Sequence, residues 1–257
     1  MKRPSITFRL VGITRKKEGP SSKHKQATIE GEKALDGVKA SFREGAVPGN
    51  PDLVFMLTTI DLFEIEAGGK VNKDQNGIGA VGSVCTKEAA GVGEDIPTSY
   101  FGAEVMAHEL AHILGSPHDE TPRCPWSEGY LMSYVDGGTK KYRLSVCSQE
   151  KIRDRVRTLQ RSCINLQSHK NYMKGRNKIP GKTVREGYYC KKMMKDMSQG
   201  RKVYVNKTEA LSKKCKMECC YDVPKGSWCK IVRILEGMDC QGGNTCRRGV
   251  CGKHNWQ

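Results

Sequence analysis

The cysteines constrain this sequence more than any other feature, because their number and spacing limit which small folds can be stable. Twelve cysteines occur in 257 residues, four before residue 167 and eight after it. Both counts are even, as closed sets of disulfides require. No pair of CxxC motifs and no CxxC with nearby histidines is present, so a zinc ribbon is the weaker interpretation of the second half. The cysteines therefore predict an oxidising, extracellular compartment and a secreted protein.

Charge divides the chain at the same place. Residues 167–257 contain 21 Lys and Arg against 7 Asp and Glu, a balance of +14. Residues 51–150 have the opposite balance, −8, with 15 acidic and 7 basic residues. The change falls near His169, in a polar run typical of a linker. We therefore predict a domain at 1–166, a linker at 167–184 and a basic cysteine-rich domain at 185–257.

Hydrophobic periodicity predicts interleaved strands and helices in the first domain. The predicted strands are Ser5–Arg15, Leu53–Thr58 and Ile78–Cys85, and the predicted helices are Gly31–Phe42, Phe101–Leu114 and Lys151–Leu159. Such alternation indicates an α/β layer. The second domain has short elements between cysteines, so it must depend on disulfides more than on a core. No stretch of eighteen apolar residues occurs, which argues against a membrane span.

One segment, His108 to His118, carries the pattern of a metal site. His108 and His112 are four residues apart, so on a helix both imidazoles leave the same face. Gly115 can adopt the left-handed conformation that ends a helix and turns the chain back. That turn would bring His118 to the same point. Three protein ligands leave one position open for water, which is typical of a catalytic zinc rather than a structural one.

Glu109 directly follows the first histidine and could reach that open position. Zinc lowers the pKa of its bound water toward ~7, and a neighbouring carboxylate can accept the proton as the water attacks a carbonyl. The same carboxyl can then pass the proton to the leaving amine. The segment therefore predicts peptide hydrolysis by zinc-activated water, with Glu109 as general base and no covalent intermediate.

A plainer interpretation is that two histidines on an amphipathic helix are ordinary surface or core residues. Here, however, the eleven-residue pattern is complete. Met132 also lies fourteen residues beyond His118, in the sequence Leu131-Met132-Ser133-Tyr134. This combination matches the extended metzincin pattern with its methionine turn. We therefore favour the zinc site.

These motifs resemble the reprolysin (adamalysin, ADAM-type) branch of the metzincins, in which Asp follows the third histidine as Asp119 does here. The segments Asn50–Phe55 and Cys124–Tyr134 are most similar to secreted metalloproteases of tick saliva. The resemblance covers residues 5–166, and the tail is more loosely similar to the cysteine-rich region of ADAMTS-type proteases. It implies a metzincin-type catalytic domain, a mixed and mostly parallel sheet with helices, followed by a small disulfide-rich domain.

The resemblance also implies roles for particular residues. His108, His112 and His118 would bind zinc, Glu109 would be the catalytic base, and Met132 would lie beneath the metal. The other implied residues are a substrate-pairing edge strand at Gly79, Ala80, Val81 and Gly82, disulfides Cys124–Cys147 and Cys85–Cys163 as one of three connectivities, and calcium ligands at Asp52 and Asn165.

Tyr134 has two interpretations. In the astacin branch a tyrosine two residues after the turn methionine approaches the zinc, and Tyr134 has that spacing. Ser116 and Asp119, however, do not match astacins, which favour Phe and Glu at these positions. We therefore predict that Tyr134 is a substrate-binding residue in the pocket wall rather than a metal ligand.

Two function classes follow. The first is a secreted zinc endopeptidase that cleaves extracellular proteins, such as host matrix or clotting proteins if the tick-like resemblance holds. The second is an inert binding protein whose basic tail engages heparan sulfate, another polyanion or the cell surface, although the lysines of the tail could equally serve solubility alone. Nucleic acid is the least expected partner, since no nucleic-acid-binding motif is visible.

The second class draws support from the amino-terminal end. Reprolysin domains begin with a strand and a long helix that have no counterpart before residue 5. Arg9 and Arg15 also interrupt the apolar stretch that a signal peptide would need. We therefore expect the catalytic domain to be truncated, or the sequence to begin inside a larger precursor, without its signal peptide and prodomain.

Overall fold

The computed structural model describes residues 6–15, 28–97, 99–164, 169–175 and 179–256, and the chain divides into two compact units. Unit 1 comprises Met1–Asp136 and Arg143–Lys174, and unit 2 comprises Gly137–Tyr142 and Gly175–Gln257. The division after Lys174 falls inside the segment for which the sequence predicts a linker. The sequence prediction does not anticipate that Gly137–Tyr142 belongs to the second unit.

The first helix forms where periodicity predicts one. Helix α1 spans Gly31–Arg43. Its buried side chains recur three and four residues apart, which places them on one face, and they are Ala34, Leu35, Val38 and Phe42. Three of them pack in an apolar cluster with strand residues Leu62, Ala90 and Val92. Burial of this stripe attaches the helix to the strands that follow it.

The described residues of unit 1 form two three-stranded sheets. Its strands are β1 (Thr28–Glu30), β2 (Val54–Thr58), β3 (Asp61–Ile65), β4 (Val71–Asn72), β5 (Gly77–Gly79) and β6 (Ala90–Glu94). In one sheet β1 is parallel to β3 and β3 is antiparallel to β4. In the other, β2 is parallel to β6, and β5 lies at the edge, antiparallel to β6. The prediction of an α/β domain with mixed sheets is therefore confirmed.

The remaining helices of unit 1 are α2 (Gly102–Ile113), a 3-10 turn at Trp126–Glu128, α3 (Val146–Arg157) and α4 (Arg161–Ile164). Helices α2 and α3 share an apolar cluster with the loops between them, and its members include Ala111, Ile113, Leu114, Met132 and Ile152. The longest helix of the described residues is α1, with 13 residues. None of the described helices has the length and apolar character needed to cross a bilayer.

Three sequence predictions of secondary structure need correction. The predicted strand Ser5–Arg15 is wrong, because the described residues 6–15 form neither strand nor helix. The predicted strand Ile78–Cys85 is too long, because β5 ends at Gly79 and the chain then turns with φ of +67° at both Gly82 and Cys85. Helix α3 begins at Val146, before the predicted Lys151, because the Ser145 side chain caps it by accepting a hydrogen bond from Ser148 N.

Unit 2 is organised by an antiparallel three-stranded sheet and disulfides. Its elements are a 3-10 turn at Gly138–Tyr142, α5 (Pro180–Thr183), α6 (Glu186–Met193), β7 (Val203–Asn206), α7 (Glu209–Ser212), β8 (Lys216–Val223), β9 (Gly226–Arg233), β10 (Thr245–Arg247) and β11 (Val250–Gly252). Its four disulfides are Cys190–Cys219, Cys215–Cys246, Cys220–Cys229 and Cys240–Cys251. The first of these ties α6 to the central strand β8, where the buried sulfurs take the place of large apolar side chains.

Candidate metal centre

Helix α2 presents two histidines from the same face. Its first turn is held by Asp95, whose Oδ1 accepts a hydrogen bond from Gly102 N at 3.2 Å. His108 and His112 follow one turn apart, and their ring centroids are 4.8 Å apart. The helix thus places the two imidazoles on one face, one turn apart.

A tight turn brings the third histidine to the first two. Gly115 has a φ of +105°, in the left-handed region that glycine adopts without a steric penalty. Its N–H donates to His112 O at 2.8 Å, and Ser116 N donates to Ala111 O at 2.9 Å, which closes the helix end. The chain then returns, and the ring centroid of His118 lies 4.7 Å from that of His112.

Three imidazole nitrogens converge on one point. His118 Nε2 is 3.1 Å from His108 Nε2 and 3.2 Å from His112 Nε2. Two imidazole nitrogens on one tetrahedral zinc, each ~2.0–2.1 Å from the metal, would lie about 3.3 Å apart, so the observed spacing fits zinc. Three imidazoles are also a donor set that suits this metal.

In His108 and His112, the contacts of Nδ1 explain why the converging Nε2 atom carries no hydrogen. His108 Nδ1 lies 2.7 Å from Leu131 O, and His112 Nδ1 lies 2.7 Å from Ser116 O. A carbonyl oxygen only accepts, so both rings carry their proton on Nδ1. Their Nε2 lone pairs then face one another, and a cation between them removes the repulsion. The contacts therefore select the tautomer that binds a metal.

His112 is neutral across the ordinary pH range. Burial is the main reason that its pKa is lowered to about 4; the hydrogen bond to Ser116 O opposes this shift, and the charge of His118 adds to it. No proton therefore competes for this ligand at neutral pH.

The Glu109 side chain is buried against the edge strand. Only 5% of Glu109 is exposed, and an ideal Cβ at Gly77 would stand 2.8 Å from its Oε1. Burial raises the pKa of this carboxyl to about 8, because the charged form loses its water. A cation beside the carboxyl would favour the charged form and lower that value.

The Tyr134 hydroxyl lies at the outer side of His118. Its oxygen is 2.8 Å from His118 Nδ1 and also bonds Glu120 Oε1. Burial, the hydrogen bond to Glu120 and the nearby charge of Glu64 raise the pKa of Tyr134 to about 12. The hydroxyl is therefore protonated and able to donate at neutral pH. Glu120 is not among the site residues predicted from the sequence, where its only signal is its position two residues after the third histidine.

Met132 and Asp119 attach the histidine turn to the core. Met132 is fully buried, and its carbonyl accepts a hydrogen bond from Asp119 N at 2.9 Å. Asp119 Oδ1 in turn accepts hydrogen bonds from the hydroxyls of Ser145 at 2.6 Å and Ser148 at 3.0 Å. Neither serine is among the residues predicted from the sequence, although a serine just before a helix is a recognisable cap signal.

The four residues predicted as a substrate-pairing edge strand do not all lie in a strand. Gly79 is the last residue of β5, and Ala80 N still donates to Ala90 O at 3.0 Å. Val81 is 60% exposed, and Gly82 turns the chain with its N–H on His112 O. Substrate binding by these residues stays a prediction.

The structure joins the cysteines of unit 1 as Cys85–Cys163 and Cys124–Cys147. Among the described residues, two groups could hold a metal ion, the three histidines and Glu218 with Cys220 and Cys229, but the last two form a disulfide. Neither group includes Asp52, whose pKa burial raises. Asn165 lies outside the described residues, so a calcium site stays a prediction.

Comparisons with known proteins agree with this geometry. Residues 55–167 match the Reprolysin (M12B) family zinc metalloprotease. The chain is 24% identical over 278 residues to "A disintegrin and metalloproteinase with thrombospondin motifs like" of Bombyx mori, across 98% of this chain and 38% of that protein. It is 23% identical to "A disintegrin and metalloproteinase with thrombospondin motifs 20" of Mus musculus, across 96% of this chain and 13% of that protein.

A further relative is a venom metalloproteinase, antarease-like, of Tityus fasciolatus. It is 30% identical over 131 residues, across 45% of this chain and 54% of that protein. The chain thus spans less than two thirds of each of these relatives. All three are named as metalloproteinases, and the matched segment contains the three histidines and Glu109. The similarity to the reprolysin (M12B) family of zinc metalloproteases therefore covers the segment that forms the histidine site.

Proposed function

We propose that the chain is a zinc-dependent endopeptidase that hydrolyses peptide bonds of extracellular proteins. The observation that carries this proposal is the convergence of three Nε2 atoms, with each Nδ1 already paired, beside the helix that carries the buried Glu109. Such a set leaves a metal with an open coordination position, as catalytic zinc requires.

Each residue then has a defined task. His108, His112 and His118 hold the zinc through Nε2. A zinc ion held there would supply Lewis-acid chemistry and lower the pKa of a bound water. The Glu109 carboxylate accepts a proton from the attacking water and donates it to the amine of the leaving chain. No side chain forms a covalent bond to the substrate in this scheme.

The edge strand offers a place for the substrate backbone. One side of β5 pairs with β6, and no described strand of that sheet pairs with its other side. An extended peptide could add there as a further strand, with main-chain hydrogen bonds that do not depend on its sequence. Because Glu109 packs against Gly77 and Gly79 of β5, such a peptide would lie close to the general base. Gly79 to Gly82 and Tyr134 would contact its side chains.

The compartment follows from the cysteines and the relatives. Six disulfides join all twelve cysteines, which fits an oxidising environment. Venom metalloproteinases are among the similar proteins. We therefore expect a secreted enzyme whose substrates are extracellular proteins. Host matrix or clotting proteins are the expected substrates if the similarity to tick salivary enzymes holds.

The testing experiment compares cleavage by the chain and by Glu109→Gln. Glutamine keeps the shape that fits against Gly77 and Gly79 but is a far weaker base. Gelatin or fibrinogen should be cleaved by the parent and by an exposed control, Glu32→Ala, but at least ~100-fold more slowly by Glu109→Gln with equal zinc content. A chelator should abolish the cleavage. A folded, zinc-loaded parent that cleaves neither substrate would overturn the proposal.

A second candidate function is non-catalytic binding through the basic second unit. This function is supported by the formal net charge of +14 of residues 167–257, which favours binding to polyanions such as heparan sulfate. The full chain should then be retained on immobilised heparin, and Lys191→Glu with Lys192→Glu, both exposed on α6, should elute at lower salt. Elution of the parent below physiological salt would exclude this function.

A further inference from the structure

One zinc ligand is held differently from the other two. The outer nitrogens of His108 and His112 donate to main-chain carbonyls. The outer nitrogen of His118 instead lies 2.8 Å from the hydroxyl of Tyr134, and that hydroxyl also bonds Glu120 Oε1. His118 thus depends on two side chains, while its two neighbours depend on the backbone.

The donor and acceptor of each hydrogen bond between Glu120, Tyr134 and His118 follow from the chemistry of the three groups. An ionised carboxylate only accepts, so the Tyr134 O–H donates to Glu120. The phenolic oxygen then has its lone pairs free to accept from His118 Nδ1–H. A proton on Nδ1 leaves Nε2 bare, which is the tautomer a metal needs. Glu120 therefore orients the hydroxyl, and the hydroxyl selects the tautomer of His118.

Packing against Tyr134 also fixes the orientation of the His118 ring. The centroids of the His118 and Tyr134 rings are 4.6 Å apart with planes inclined by 55°. The Tyr134 oxygen lies at Nδ1, and His118 turns its other nitrogen toward the two remaining histidines. The imidazole therefore separates the phenol from the point where the three Nε2 atoms meet. This arrangement differs from one in which the tyrosine itself binds the metal.

We propose that Tyr134 and Glu120 are positioning residues that hold His118 in its metal-binding tautomer and orientation. The proposal rests on the zinc site of the proposed function. It assigns Tyr134 a task beyond forming the pocket wall and gives Glu120 a task of its own. Because 59% of Tyr134 is exposed, the pair stabilises the metal site from the solvent side rather than through the core.

The test measures zinc affinity by competition with a chelator, on the full chain. Tyr134→Phe should bind zinc 10–100-fold more weakly than the parent, the range typical for loss of an outer partner of a metal-bound histidine. Glu120→Gln should lose less zinc affinity than Glu120→Ala, since the glutamine amide oxygen can still accept a hydrogen bond from the phenol. Tyr172→Phe, another exposed tyrosine of unit 1, should bind zinc like the parent.

Two further measurements separate positioning from other roles. The melting temperature of the zinc-free chain should be the same for Tyr134→Phe and the parent. A fall in this melting temperature that matches the loss of zinc affinity would show that Tyr134 has only a structural role, and would overturn the proposal. The copper(II)-loaded parent should show no phenolate-to-copper absorption band. If the parent showed such a band and Tyr134→Phe did not, Tyr134 would be a metal ligand and the proposal would be overturned.

The outcomes also distinguish the two proposals. Unchanged zinc affinity in Tyr134→Phe overturns the positioning role and leaves the peptidase intact. A parent that binds zinc but cleaves no protein, with a weakened Tyr134→Phe, overturns the peptidase and leaves the positioning role. A parent that binds no zinc overturns both.

Discussion

The carboxylate of Glu109 lies directly against Gly77, so closely that a Cβ at residue 77 would stand 2.8 Å from Glu109 Oε1 and 2.7 Å from Val105 Cγ1. At Gly79 a Cβ would stand 2.7 Å from the main-chain oxygen of Glu109. Glycine at these two positions therefore allows the edge strand to approach helix α2. The position of the Glu109 carboxyl and that of the strand are therefore set together.

Gly77→Ala should damage both stability and activity. The added methyl must displace Glu109, Val105 or the strand, and such overpacking costs about 1–3 kcal/mol in the free energy of unfolding. A shift of the base near 1 Å should lower kcat/KM by roughly 100-fold. Urea unfolding and peptide cleavage measure the two effects.

Gly37→Ala is the matched control for this change. Gly37 is exposed on α1, and a Cβ there meets nothing within 4 Å. This substitution should raise the free energy of unfolding by about 0.5–1 kcal/mol and leave cleavage unchanged. Full activity in Gly77→Ala would show that Glu109 does not depend on the close strand.

Ser145→Ala should destabilise unit 1. Ser145 caps α3 and donates to the buried Asp119 at 2.6 Å. Loss of the cap and of one donor to a buried carboxylate should reduce the free energy of unfolding by about 2 kcal/mol. Ser41→Ala, which removes an exposed hydroxyl on α1, should change it by less than about 0.5 kcal/mol. Equal effects of the two substitutions in urea would contradict the role of Ser145.

Zinc should stabilise the folded chain. A ligand that binds only the folded state at 100 times its Kd adds about 2.7 kcal/mol to the free energy of unfolding. Thermal unfolding with a chelator and with excess zinc should therefore show a large difference for the parent. His112→Ala removes one of the three proposed ligands and should remove most of that difference. An equal response of His112→Ala to zinc would place the metal elsewhere.

Glu94 should make stability depend on pH. Its Oε1 accepts a hydrogen bond from Leu62 N at 2.6 Å. Burial raises the pKa of Glu94, the hydrogen bond from Leu62 opposes this, and the charge of Asp61 raises it further. An acid whose pKa is raised on folding is more favourable when protonated, so its contribution to stability falls as pH rises through the unfolded value near 4.5.

Glu94→Gln keeps an acceptor for Leu62 N and removes the charge. In the zinc-free chain its melting temperature should equal or exceed that of the parent at pH 7, and the difference should shrink toward pH 4. Melting curves of both proteins are measured at several pH values, and the difference between them at each pH removes the contributions of the groups that they share. A less stable Glu94→Gln at pH 7 would show that the charged form is favoured.

Local spacing was enough to predict α1, β2 and α2. The apolar face of Gly31–Arg43 and the run Val54–Thr58 are signals that depend only on neighbours along the chain. The alternation that suggested a strand at Ser5–Arg15 is equally local, yet the described residues there form none. A strand needs a partner for its N–H and C=O groups, and a sequence pattern does not supply that partner.

The sequence by itself determined the helix that presents His108 and His112, the glycine turn after it and the place of Glu109 beside the first histidine, because all three lie within eleven residues. Only the tertiary structure decided how the site is supported. Tyr134 and Glu120 lie fourteen residues apart, yet the Tyr134 hydroxyl contacts both Glu120 and His118, and Gly77 of strand β5 packs against Glu109 of helix α2. Helical periodicity specifies neighbours up to about one turn away, whereas contacts between distant segments depend on how the whole core packs.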